Sequence, residues 1–261
     1  MTTTPAPPVV KIQPGYALPE GGFKIAIVDP PWTFKTFSAK GMSRSAEHHY
    51  PCLDNEAIKA LPVGSVLAKD SVVLLWVTNP QMEFGFQVLR AWGFAPSTVF
   101  LTWTKLDAHG SPQMGTGYST RSCTEHVLLG RRGAGVERVG RAAPSAILAP
   151  VREHSRKPDE LYATVDHVYG PDAPRIELFA RRRWDARTYP VGDEVDGQDV
   201  RDELPALARR LFPEAPEAAR RTQRTRKARS ARSLLQLPLP GLSGLLDPEL
   251  VRTSADSPVA E

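Results

Sequence analysis

A chain of 261 residues, 41% apolar and with 25 prolines, has room for one sizeable domain and predicts an appendage outside its packed core. Two cysteines, Cys52 and Cys123, exclude a disulfide framework or a zinc centre, the longest apolar run (Val72 to Val77) is far below the roughly 18–20 residues that span a bilayer, and Met1 to Lys11 has no basic start followed by an apolar stretch, so the expectation is a reducing cytoplasm with no membrane partner. The formal charge of +4 is concentrated, with ten Lys/Arg against four Asp/Glu between Arg201 and Ser233, which reads either as a solvated helix or arm or as a contact for phosphates.

Short apolar runs alternate with helical patterns, the layout of an α/β domain around a mostly parallel sheet. Phe23 to Val28 (FKIAIV) predicts a buried strand that stops at Asp29-Pro30-Pro31, and Ser71 to Thr78 (SVVLLWVT) a second. After Asn79-Pro80 the pattern becomes helical over Gln81 to Trp92, with Met82, Phe86, Leu89 and Ala91 near helical spacing and Gly93 as the stop. Ser97 to Thr104 predicts a third strand. Lys105 to Ser122 lacks periodicity and is too long for an ordinary connection, so it is a candidate functional loop. Glu125 to Gly130 and Ala146 to Ala149 predict further strands. Ser155 is the expected cap of a helix from Lys157 to Val168, with Pro158 in its first turn and Asp159 and Glu160 suiting the positive end of the dipole. Arg175 to Ala180 (RIELFA) predicts the last strong strand. Beyond Gly197 the chain turns Ala/Arg/Pro-rich, and the expected organisation is an arm over 1–20, a domain over 21–197 and a basic, Pro-rich, partly disordered tail over 198–261.

The most informative element is a buried strand ending in Asp29-Pro30-Pro31-Trp32, because open α/β sheets place ligand sites at the carboxyl ends of their strands. Two prolines remove two backbone N–H groups and fix φ, which leaves the Pro30 carbonyl rigidly aimed and free of ladder duties. An exocyclic adenine amine offers two N–H donors, for which the Asp29 carboxylate and the Pro30 carbonyl are suitable acceptors. Trp32 offers a flat face for an extruded base, a stack worth about 1–3 kcal/mol. The same tetrapeptide also fits a plain strand stopped by Pro-Pro, with Asp in the turn and Trp in the core.

The motif resembles the Asp-Pro-Pro-Trp signature of the MT-A70-like adenine methyltransferases. The resemblance extends in order through Ser43 to Pro51 (SRSAEHHYP), Leu53 to Val63, Leu74 to Thr78, Gly115-Thr116-Gly117-Tyr118, Glu125-His126, Ser155 to Tyr162 (SRKPDELY) and Arg175 to Arg181, covering Gly21 to Gly197. It implies a Rossmann-like sheet of the class I methyltransferase kind, helices on both faces, in which the catalytic strand precedes the cofactor strand. It implies S-adenosylmethionine as cofactor, with Glu177, Phe179, Arg181 and Arg183 near its methionine part and ribose, Asp193 and Glu194 at the ribose hydroxyls, and Lys11 and Ile12 about where the family cradles its adenine. A carboxylate suits a diol because it accepts both hydroxyl hydrogens. The chain departs from the family pattern at Arg183-Trp184-Asp185, where His-Asn or a Gly-Trp pair is common, and at Thr124, where a Lys is common and Arg121 is the nearest cation.

His48 and His49 suggest a metal, but adjacent histidines point apart in a strand and no carboxylate lies at helical spacing, so no metal is expected. His49, Tyr50 and Arg121 are instead candidates for a substrate loop, against the plain reading of a solvated surface. Lys157 to Glu160 reads equally as a helix start. The expected activity is N6-methylation of adenine in nucleic acid, DNA favoured over RNA because the whole chain resembles the compact members of the family; the rival expectation is an inactive nucleic-acid-binding scaffold or heterodimer partner. Oligomeric state is not legible in the sequence.

Overall fold

The computed structural model describes residues 16–33, 52–117, 119–153 and 156–213. In chain order these form β1 (Phe23–Val28), α1 (Asn55–Ala60), β2 (Leu67–Thr78), α2 (Met82–Ala91), β3 (Ala95–Leu106), β4 (Thr124–Arg132), β5 (Ala146–Pro150), α3 (Glu160–Tyr169), β6 (Arg175–Leu178), β7 (Thr188–Val191), the single turn α4 (Asp193–Asp196) and α5 (Val200–Leu211). The seven strands make one sheet in the order β5-β3-β4-β2-β1-β6-β7. Every pairing is parallel except those of β4, which runs against both β2 and β3, so six strands point one way and one is reversed. The expected Rossmann-like, mostly parallel sheet is present, with the strand carrying Asp29 well ahead in sequence of the one carrying Glu177.

β1 and β2 are near-continuous runs of β-branched and aliphatic residues because both of their faces are covered. The side-chain period of two divides them between two cores. Ala26, Val28, Val73, Leu75, Leu128, Ile176 and Leu178 face α1, α2 and α5, whereas Ile25, Ile27, Leu74, Trp76, Trp103 and Val127 face α3. Gly85 brings α2 against the first face: a Cβ there would lie 2.6 Å from Val77 Cγ1 and 2.8 Å from Leu128 Cδ1, too close for any larger residue.

Two elements differ from the sequence expectation. α3 begins at Glu160 rather than Lys157, because the Asp159 carboxylate, instead of capping the helix, is drawn into ion pairs with Arg152 and Arg182; Ser155, the expected cap, lies outside the described residues. After Gly197, where the packed domain was expected to end, α5 continues the fold. Asp199 caps it by accepting from the Arg201 N–H, and Val200, Leu204 and Leu207 enter the first core. Each such fully buried aliphatic side chain contributes about 1.5–3 kcal/mol by leaving water. No helix among the described residues is long and apolar enough to cross a membrane.

Candidate active site at the carboxyl edge of the sheet

The period of two that sorts the cores also builds the site. On the face carrying Ile25 and Ile27 the next position is Asp29; on β2 it is Trp76, on β3 Trp103 then Lys105, on β4 Glu125, and on β6 Glu177. All of them stand at the carboxyl edge of the parallel strands, and the reversed β4 brings its amino end there, which is how Glu125 joins them. A cleft of about 490 Å³ at this edge is lined by Asp29, Trp76, Arg156, Lys157, Tyr162, Glu177, Phe179, Arg181 and Glu194. That is the size range of small-molecule sites.

From Asp29 and Lys157 in its lining an alternating row of charges continues beneath it. Lys157 Nζ lies 3.1 Å from Asp29 Oδ2 and 3.0 Å from Glu125 Oε2, and Lys105 Nζ lies 2.5 Å from Glu125 Oε1. The two ammonium groups also stand 5.2 Å above Trp76 and Trp103, whose rings meet edge to face. Burial alone would discharge Lys157, yet Asp29 and Glu125 on either side hold its ammonium above the ordinary lysine range. Burial likewise opposes charge on Glu125, but the two lysines win and draw its carboxyl down to about 2. Asp29 moves upward: burial, with the Glu125 charge added, outweighs the pull of Lys157 and Arg181. In the same cleft, burial pushes Glu177 up to about 7 against the hydrogen bond from Tyr162, whose hydroxyl donates to Oε1 at 2.6 Å. The second oxygen, Oε2, is buried with no hydrogen-bond partner among the described residues. A buried carboxylate oxygen left unsatisfied beside a cleft is the cradle a hydroxyl-bearing ligand would complete.

Phe179 is forced into the left-handed region, φ +63°, a conformation that costs a bulky residue about 1–3 kcal/mol. The chain holds it there because the Ala180 N–H donates to the Val191 carbonyl at 2.9 Å and Gly192 is pressed on the Ala180 backbone, where a Cβ would lie 2.1 Å from the Ala180 oxygen. The strained turn sets Phe179 at the cleft, with its side chain packed against the first core.

The structure gathers Asp29, Glu177, Phe179, Arg181 and Glu194 around this one cleft. Arg181 and Glu194, expected as separate contacts, pair with each other: Nε and Nη2 of the arginine lie 2.7 and 2.5 Å from Glu194 Oε1. Arg183 stands instead over the Tyr16 ring at 5.9 Å, and Asp193 is an exposed residue opening α4; neither lines the cleft. Arg121 is exposed in the loop after β3, its Nε donating to the Gly115 carbonyl. Lys11, Ile12, His49 and Tyr50 lie outside the described residues.

Two details of the tetrapeptide are corrected. Trp32 offers no free face: it is 4% exposed, its Nε1 donates to the Trp76 carbonyl at 3.0 Å and its ring meets Phe84 edge to face. It is a bolt between the ends of β1 and β2, while the cleft's aromatic lining comes from Trp76, Tyr162 and Phe179. The Pro30 carbonyl is not free either, since it accepts from the Trp32 N–H at 2.8 Å; Pro31 accepts from Leu53 N–H at 2.9 Å. This tight i to i+2 closure fixes the direction of the Pro30 oxygen and leaves it one further lone pair.

Sequence reasoning missed Lys157, Glu125 and Tyr162 as site residues. A carboxylate at the end of an apolar strand, in phase with the strand's buried face, was the available signal for Glu125. Lys157 stood in the SRKPDELY segment of the family resemblance, but helix-start chemistry explained that segment equally well.

The MT-A70 family profile matches residues 23–194, a span that holds every cleft residue named above. The chain is 32% identical over 199 residues to an Arabidopsis thaliana N(6)-adenosine-methyltransferase MT-A70-like protein, covering 74% of this chain and 27% of that one. It is 30% identical over 210 residues to the type II methyltransferase M.MunI of a Mycoplasma species, covering 71% of this chain and 86% of that one. It is also 28% identical over 198 residues to the human N(6)-adenosine-methyltransferase catalytic subunit METTL3, of which it spans 32%. With a profile match across most of the folded domain and these likenesses on both sides of it, the chain belongs to the MT-A70 family.

Proposed function

We propose that this protein transfers a methyl group from S-adenosylmethionine to the exocyclic N6 amine of adenine in nucleic acid, DNA in preference to RNA. The observation that carries the reading is Asp29 lining the same cleft as Glu177, whose buried carboxylate has an unsatisfied oxygen. The donor set fits the cofactor. Glu177 Oε2 is a ready acceptor for a ribose hydroxyl, Phe179 offers an apolar wall, and Asp29 can face the amino end. The bound cofactor supplies an electrophilic methyl on a sulfonium.

The chain's own residues do the positioning. Lys157 occupies Oδ2 of Asp29 and fixes the carboxylate plane. Oδ1 and the remaining lone pair of the Pro30 carbonyl then accept the two N–H hydrogens of the adenine amine, which points the nitrogen lone pair away from them. A neutral amine needs no strong base before transfer, so orientation and the local field supply most of the acceleration. The preference for DNA is supported by the 86% coverage of M.MunI, against about a quarter of the plant relative's length.

Asp29→Ala is the test. Tritiated-methyl transfer to DNA falls by at least about a hundredfold, while circular dichroism and cofactor-free melting show a folded chain. Normal turnover in the variant refutes the role of Asp29. Nucleosides from cells with and without the protein, read by mass spectrometry, separate DNA from RNA, and nucleic-acid binding without any methyl transfer by the unmodified chain would make it a scaffold instead.

A further inference from the structure

Glu177 is the cleft's isolated acceptor, and the group that aims it is itself held by a side chain outside the cleft. The Tyr162 hydroxyl holds Oε1 at 2.6 Å, and the Tyr162 ring lies flat on the Trp184 indole, centroids 4.2 Å apart and planes within 10°. The Arg182 guanidinium stands over the same indole at 4.9 Å. Arg182 pairs with Asp159, and Asp159 with Arg152, so the stack is tied to the segment that leads into α3. Trp184 is half-buried against the core on this face and is absent from the cleft lining. It also stands where this chain departs from the residues common in the family.

Resting on the reading of the cleft as an S-adenosylmethionine site, we propose that Trp184 is a positioning residue, its indole fixing Tyr162 so that Tyr162 holds Glu177 with Oε2 turned to the cofactor's ribose diol. The Tyr162 ring is nearly buried at the edge of the second core, and the parallel stack at 4.2 Å packs the face it turns to the segment after β6, fixing the ring without adding a contact to the ligand. The hydrogen bond to Oε1 then leaves one carboxylate oxygen, in a known orientation, for the ligand. The groups facing Glu177 are Tyr162 from α3, Asp29 from β1, and Arg182 and Asp185 from the segment after β6, with Lys157 across the same cleft. Of these, Tyr162 is the one in hydrogen-bond contact, so loosening it weakens the pull that keeps the Glu177 carboxyl down.

The experiment is calorimetric titration of the whole chain with S-adenosylmethionine from pH 6 to 9. Trp184→Ala weakens binding about three- to tenfold and moves the pH midpoint of affinity upward, Trp184→Phe restores both, and Tyr162→Phe weakens binding about tenfold. In a Glu177→Gln background Trp184→Ala has no further effect. A Trp184→Ala chain that binds as the unmodified one does, or a loss that persists undiminished in the Glu177→Gln background, overturns the relay while leaving the cofactor reading standing. An unmodified chain that takes up no S-adenosylmethionine sinks the reading itself and the relay with it.

Discussion

Asp29 has two carboxylate oxygens, and the fold gives them different company. Oδ2 is held by Lys157, which is itself shared with Glu125, while Oδ1 carries no ion pair among the described residues. Removing the shared cation leaves Glu125 with Lys105 and Asp29 with the more distant pull of Arg181, so Lys157→Met should destabilise the fold by about 3–5 kcal/mol, the cost typical of an undercompensated buried charge. The pH dependence has a definite sign. Asp29 already lies above its ordinary value in the folded chain, and losing Lys157 raises it further. A carboxyl raised on folding binds its proton more tightly in the native state, so its contribution to stability falls as pH rises from the unfolded value through the folded one. The variant's deficit in melting temperature should therefore be greater at alkaline than at acid pH, because a proton on Asp29 removes the uncompensated charge; a deficit independent of pH would mean that Lys157 serves only as packing. Lys157→Arg keeps the charge and should recover most of the stability while misplacing the Asp29 carboxylate, so that methyl transfer stays low.

At the scale of elements, α5 is the part of the fold whose contribution is easiest to isolate. Val200, Leu204, Leu207 and Leu211 form one stripe at spacings of four, three and four, and the first three are buried in the sheet's first core. Leu204→Ala should cost about 2–5 kcal/mol in chemical denaturation, whereas Arg209→Ala on the exposed side should cost well under 1 kcal/mol. Equal, small effects would detach α5 from the fold. That stripe was present in the sequence, but the Ala/Arg/Pro-rich composition around it hid it, with Pro205 inside the helix reading as a breaker. The strands were legible because β-branched runs between turn residues have few other uses, and β1 matches its expected bounds at both ends. The direction of β4 was not legible, since register and direction depend on a partner more than 40 residues away in sequence. For the same reason Asp29 was legible as a site residue and its partners were not: Asp29 carries a local signature, whereas Lys157 and Glu125 meet it only across the sheet. Trp32 was legible as special yet misassigned, because a tetrapeptide does not say which way an indole turns.

For the molecule as a whole, charge is divided between a folded domain whose cleft cations are consumed by ion pairs and a C-terminal segment of the sequence that carries the surplus. Around the cleft, Arg152, Arg156, Arg181 and Arg182 each pair with a carboxylate. Little of that charge is left to attract phosphates. Arg220, Arg221, Arg224 and Arg226 lie close together in a stretch of the sequence with Glu217 as the nearest preceding acid. Nucleic-acid affinity should therefore depend on these arginines and cofactor affinity should not. Every phosphate that is no longer neutralised by a cation lowers the slope of log affinity against log salt by about 0.9 on duplex DNA and about 0.7 on a single strand. Changing all four arginines to Gln should flatten the slope by up to about 3.6 on a duplex, weaken binding most at low salt, and leave the calorimetric S-adenosylmethionine titration unaltered. A slope unchanged in the quadruple variant would place phosphate recognition on the domain itself, and the exposed loop carrying Arg121 would then be the surface to alter next.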